Sequence, residues 1–145
     1  MTGLIVTGHG SFATGLTSGL KLLAGEPEFY EAVDFDPEES LEVLKASLTA
    51  ALGRLETCEN ILILTDLAGG SPFNVSVVLK QEAAKPYEVI GGANLPILLD
   101  AYMKRASVTD VKALADSSLT SGKEQTICYI PETSSAICED EEIEF

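Results

Sequence analysis

Residues 61–74 read ILILTDLAGGSPFN. The first five positions, ILILT, are a continuous β-favouring run with no polar alternation, which predicts a strand in the middle of a sheet, covered on both faces. The glycines of TDLAGGSPF break it. Ser71 followed by Pro72 is a helix-start signature, a capping hydroxyl and then a proline at the first helical position, where the missing N–H is no loss. NVSVVLKQEAA continues as a helix. A buried strand feeding a helix through a tight turn is the unit of a parallel α/β sheet, and the same pattern recurs on either side.

Toward the N-terminus, LIVT (4–7) is a short apolar run closed by GHG, again a strand buried on both faces and ended by a turn. Phe12, Leu16, Leu20 and Leu23 then form a helical stripe that stops near Gly25, a plausible C-terminal glycine. FYEAVDF (29–35) predicts a second strand. Asp36, Pro37 and Glu39 match an N-cap, a first-turn proline and a capping-box acid, which start a helix whose stripe is Leu41, Leu44, Leu48, Leu52 and Leu55. Toward the C-terminus, YEVI (87–90) predicts the fourth strand, and GGANLP turns the chain into the helix LPILLDAYMKR. A further helix over 108–121 ends at Gly122, and TICYI (126–130) predicts a last short strand. The alternation of strand and helix with short links predicts an α/β domain, doubly wound, with a mainly parallel four-stranded sheet, helices on both faces and that short C-terminal strand added.

The 145 residues suffice for one domain, expected over 1–131 and followed by an acidic tail over 132–145. Six acids and no Lys or Arg fall in the last 15 residues, within a chain of formal charge −14. Such a balance repels phosphate backbones and excludes nucleic acid as a partner, leaving basic protein surfaces or small molecules. No run approaches the ~20 apolar residues of a membrane span. MTGLIVTGHG lacks the basic segment and cleavage site of a signal peptide. Cys58, Cys128 and Cys138 are odd in number and widely spaced, which argues against a disulfide framework and fits a reducing cytoplasm.

In doubly wound sheets ligands bind beyond the carboxyl ends of the strands. Those loops are TGHGSF, TDLAGGSPF and GGANLP, rich in glycines that let backbone N–H groups approach an anion. The chain's single histidine, His9, lies between two of these glycines. An imidazole there is a candidate nucleophile, and its phosphorylation makes a labile bond suited to relay. One histidine without clustered cysteines argues against a three-ligand catalytic zinc site, and no cofactor is expected. Asp66, at the end of the neighbouring strand, is placed to hold one ring nitrogen and leave the other free; its plain alternative is a turn cap. Ser71 is a helix cap or a donor to a phosphoryl oxygen, and the helix it starts offers backbone donors and a favourable dipole. Phe12 and Phe73 are core residues or an apolar rim, with packing favoured for Phe12. A rival exists in GHGSFA, which fits the dinucleotide fingerprint with Asp34 or Asp36 as the ribose acid, although a ring between the glycines crowds a pyrophosphate. GHG also partly matches the RHG of phosphoglycerate mutases, without the arginine or a second histidine.

Taken together, LIVTGHG, TDLAGGSPFN (65–74) and GGANLPILLD (91–100) resemble the IIA component of the mannose-fructose-sorbose family of the bacterial phosphotransferase system, over about residues 3–130. The resemblance implies that His9 accepts phosphate from phospho-HPr and passes it to a IIB component, which serves a membrane IIC/IID complex in sugar uptake. It maps the family's histidine partner onto Asp66 and its phosphate-side serine onto Ser71. It implies a homodimer in which TICYI crosses to the partner's sheet, and, with the chain ending at ICEDEEIEF, a IIB component on a separate polypeptide. Ala68 stands where relatives often carry tryptophan. A IIA-like carrier of dihydroxyacetone kinase systems is an alternative with the same chemistry, and a nucleotide-binding regulatory module is one without it.

Overall fold

Four strands, β1 (Thr2–His9), β2 (Tyr30–Phe35), β3 (Asn60–Thr65) and β4 (Tyr87–Ile90), pair in parallel in the order β2-β1-β3-β4 in the computed structural model, which describes residues 1–131. Five helices connect and follow them: α1 (Phe12–Ala24), α2 (Leu41–Arg54), α3 (Ser71–Glu82), α4 (Leu95–Lys104) and α5 (Val111–Gln125). None of the described helices is long and apolar enough to cross a membrane.

The central strands are apolar on both sides because both faces are covered. Leu62 and Leu64 of β3 join Leu4 and Val6 of β1 in a core closed by α1, α4 and α5, while Ile61 and Ile63 join Ile5 in a second core closed by α2 and α3. Each such side chain contributes about 1.5–3 kcal/mol when fully buried, so the two apolar runs settle in the middle of the sheet. β1 sends its helix to one face on the way to β2, and β3 sends its helix to the other face on the way to β4. The strand order therefore reverses between β1 and β3, and a crevice opens at their carboxyl ends.

Three helix ends differ from the expected ones. α2 begins at Leu41, with Ser40 accepting the Val43 N–H at 3.2 Å, and Asp36 instead heads a turn in which Glu39 Oε1 accepts the Asp36 N–H at 2.9 Å. The reciprocal acid is present, one turn ahead of the helix. α3 takes Gly70 as its N-cap, so Ser71 is the first helical residue and makes no capping bond. α5 runs through Gly122 to Gln125, because that glycine is needed for packing: a Cβ there would lie 2.5 Å from Cγ1 of buried Ile97. Residues 126–130, expected as a last strand, join neither edge of the sheet within the single chain, and Ile127, Tyr129 and Ile130 are exposed. A strand exists only through pairing, and here the helix consumes the turn that would have led to one. The acidic stretch 132–145 lies outside the described residues.

Candidate functional site

The parallel register sets Thr7 beside Thr65, so His9, two residues on at the end of β1, comes alongside Asp66, one residue past β3. Asp66 Oδ2 accepts two hydrogen bonds from His9, one from its backbone N–H at 2.8 Å and one at Nδ1 at 2.9 Å. Burial works to raise the Asp66 pKa, but the His9 backbone N–H, its imidazole and the neighbouring Leu67 N–H together hold the carboxyl below its ordinary value. An ionised carboxylate only accepts, so Nδ1 carries a proton, and in the neutral ring Nε2 then carries the lone pair. The His9 side chain is 46% exposed against 14% for Asp66, which leaves the imidazole partly open to solvent and its carboxylate partner beneath it.

Glycines make this closeness possible. A Cβ on Gly8 would stand 2.8 Å from Cγ of Asp66 and 2.5 Å from the Phe12 ring, and one on Gly70 would stand 2.9 Å from Cε1 of His9. The imidazole thus lies against the N-cap of α3. Its other side meets the Phe35 ring edge-on, with centroids 6.0 Å apart. Gly10, at φ 57°, turns the chain away and donates its N–H to the Phe35 carbonyl at 2.8 Å.

His9 and Asp66 meet as expected, and Ser71 opens α3 next to Gly70. Phe12 packs against the core of α1, α4 and α5, whereas Phe73 belongs to neither core cluster. Asn94 of the third loop caps α4 by accepting the Ile97 N–H at 3.0 Å. Two participants escaped the sequence reading. Asn74 donates its amide to the Gly69 carbonyl at 3.0 Å and so braces the double-glycine turn; its place in GGSPFN was visible, its bond was not. Asp34, one of the two acids the dinucleotide reading offered, accepts from the backbone N–H and hydroxyl of Thr14, at 3.0 and 2.8 Å.

Residues 3–119 match the family model EIIA-man, described as the PTS system fructose IIA component. The chain belongs to the EIIA-man family. It is 37% identical over 127 residues to the PTS system mannose-specific EIIAB component of Escherichia coli K12, covering 86% of this chain and 38% of that protein. The chain thus spans well under half the length of that relative. It is also 34% identical over 99 residues to the PTS system sorbose-specific EIIA component of Lacticaseibacillus casei, covering 67% of this chain and 69% of that one. The crystal structure of a phosphotransferase system component EIIA from Streptococcus agalactiae superposes with a TM-score of 0.82 at 34% identity, over 88% of this chain and 97% of that one. The paired His9 and Asp66 lie at the switch point of this EIIA-type fold.

Proposed function

We propose that the chain is a cytoplasmic phosphohistidine carrier that takes a phosphoryl group from phospho-HPr on His9 and hands it to a IIB component of a sugar transporter. The observation that carries this is the bond from Nδ1 to Asp66, which leaves Nε2 as an exposed nucleophile against the start of α3. The Nε2 lone pair attacks phosphorus, the bond from phosphorus to the donor breaks, and its electron pair returns to the donor. Nδ1 keeps its proton, and Asp66 balances the positive charge that develops on the ring. The α3 N-terminus offers backbone N–H groups and its dipole to the phosphoryl oxygens. No Lys or Arg occurs in the loops 9–11, 66–70 and 91–94, and Asp36 and Glu38 are exposed beyond Phe35. That distribution fits partners with a basic docking face.

Incubating the full chain with phosphoenolpyruvate, enzyme I and HPr should add one phosphoryl group by intact mass, lost in acid and kept in base. An unlabelled chain, or a label stable in acid, would contradict the carrier. Ser71→Ala should slow transfer several-fold without stopping it, and should leave the thermal midpoint near that of the parent because Ser71 makes no cap bond. An unchanged transfer rate would remove Ser71 from the site.

The carrier is also proposed to be a homodimer with residues 126–130 swapped onto the partner's sheet. β4 has a free outer edge among the described residues, and a cavity of about 400 Å³ at its end is lined by Gly91, Asn94, Gly122 and Thr126. Exposed Ile127, Tyr129 and Ile130 would be covered by such a swap. Light scattering should find a dimer for the full chain and after deletion of 132–145, and monomer or aggregate after deletion of 126–145.

A further inference from the structure

Leu67 lies 58% exposed on the turn between Asp66 and Gly70. A lone leucine at a protein surface is ordinary, but the place of this one is not. A Cβ built on Gly70 would find Cε1 of His9 at 2.9 Å and Cβ of Leu67 at 3.5 Å, so the imidazole and the leucine flank one point. Cε1 is the ring carbon bonded to Nε2. Across the loops 9–11, 66–70 and 91–94, Leu67 is the one exposed large apolar side chain. Its neighbour Ala68 offers a single methyl and is pressed against Gly91, where an added Cβ would stand 2.7 Å from the Ala68 Cα. The turn that carries Leu67 is held: the Gly70 N–H donates to the Leu67 carbonyl at 3.2 Å, and the Asn74 amide to the Gly69 carbonyl at 3.0 Å.

We propose that Leu67 is the apolar contact on which the protein that delivers the phosphoryl group docks, and that this donor presents an apolar patch edged by basic side chains. This rests on the carrier reading of His9. A protein-bound donor must bring its phosphorus to about 3–3.5 Å from Nε2, and a surface that close to the imidazole also covers the side chain beside it. Covering Leu67 takes apolar area out of water. Because the turn is already held by two hydrogen bonds, little ordering is left to oppose docking. The three loops hold no Lys or Arg, and Asp36 and Glu38 are exposed beyond Phe35, so the donor's basic groups belong at the rim of the contact and its apolar groups at the centre. A small phosphoryl donor reaches Nε2 without covering Leu67. The leucine is therefore a specificity residue for a protein donor and takes no part in the bond exchange.

The test compares two donors on the full chain, phospho-HPr and phosphoramidate, a small molecule that phosphorylates imidazoles directly. Leu67→Ala keeps the backbone N–H that serves Asp66. In it the KM for phospho-HPr should rise about five- to tenfold with little change in kcat, and the ratio of the phospho-HPr rate to the phosphoramidate rate, read at low donor concentration, should fall by that factor. Leu67→Met restores a side chain of similar volume and should recover most of the ratio. In methyl-labelled NMR, titration with unphosphorylated HPr should move the Leu67 methyl resonances and leave in place those of Leu22, which is 87% exposed near the end of α1. A parental ratio in Leu67→Ala, an equal loss with both donors, or Leu67 methyls that stay still on titration would overturn the proposal. A parent that takes no phosphoryl group from either donor would instead count against the carrier itself.

Discussion

Replacing His9 with glutamine is expected to leave a folded chain that takes no phosphoryl group at all. His9 is the only histidine in the sequence, so no second imidazole can accept in its place. Its side chain is nearly half exposed, and surface substitutions of this kind usually change stability by no more than about 0.5 kcal/mol. The glutamine amide is also able to donate toward Asp66, while the bond from the backbone N–H of residue 9 to that carboxylate stays in place. Intact mass after incubation with the phosphoryl donors, paired with a thermal midpoint, measures both expectations. A variant that labels as the parent does would move the chemistry to another residue and end the assignment of His9.

Asp66→Asn is expected to fold like the parent and to transfer about two to three orders of magnitude more slowly. An amide keeps the size of the carboxylate and still accepts, but it has an N–H to turn toward the ring and no charge to balance a developing imidazolium. Loss of the aspartate from a buried triad costs a factor of about 10⁴. The expected loss is smaller here because solvent reaches half of His9 and screens the pair. The pH dependence has a definite sign. Asp66 titrates below its ordinary value, so its bonds to His9 stabilise the fold fully above the usual carboxylate range and fade as the pH falls through that lowered value. Thermal midpoints taken between about pH 5 and pH 2 should therefore drop less steeply for Asp66→Asn than for the parent. A variant that transfers at the parental rate would reduce Asp66 to a turn cap.

The sheet was legible because β1 and β3 are apolar without alternation, a pattern that only a strand covered on both faces satisfies. The meeting of His9 with Asp66 was legible because glycine-rich turns at the ends of those strands mark the positions where two backbones approach closely. What stayed hidden depends on partners distant in sequence. Gly122 looked like a helix end and proved to be a contact with Ile97, whose nearness no local rule reveals. Asp36 with Pro37 satisfies the helix-start rule as well as Ser40 does, and only the turn closed by Glu39 decides between them. Ser71 looked like a cap because Ser before Pro ordinarily is one, whereas Gly70, pressed against the imidazole, takes that position. The bond of Asp34 to Thr14 spans 20 residues and two elements, and the sequence offered that residue only as one of two ribose acids in a rival reading.

β1 is buried from Thr2 to Gly8 and emerges only at His9. A side chain mounted at the end of so firmly embedded a segment has no loop to swing between two stations, and Asp66, Gly70 and Phe35 stand against it. On the proposed carrier reading, donor and recipient then use a single berth in turn. The kinetics should be ping-pong, with each partner inhibiting competitively against the other, and throughput at high concentrations should be capped by departure rather than by chemistry. An unphosphorylated donor that lingers would block the line, so moderate affinity, tunable by ionic strength, is the working optimum for this carrier.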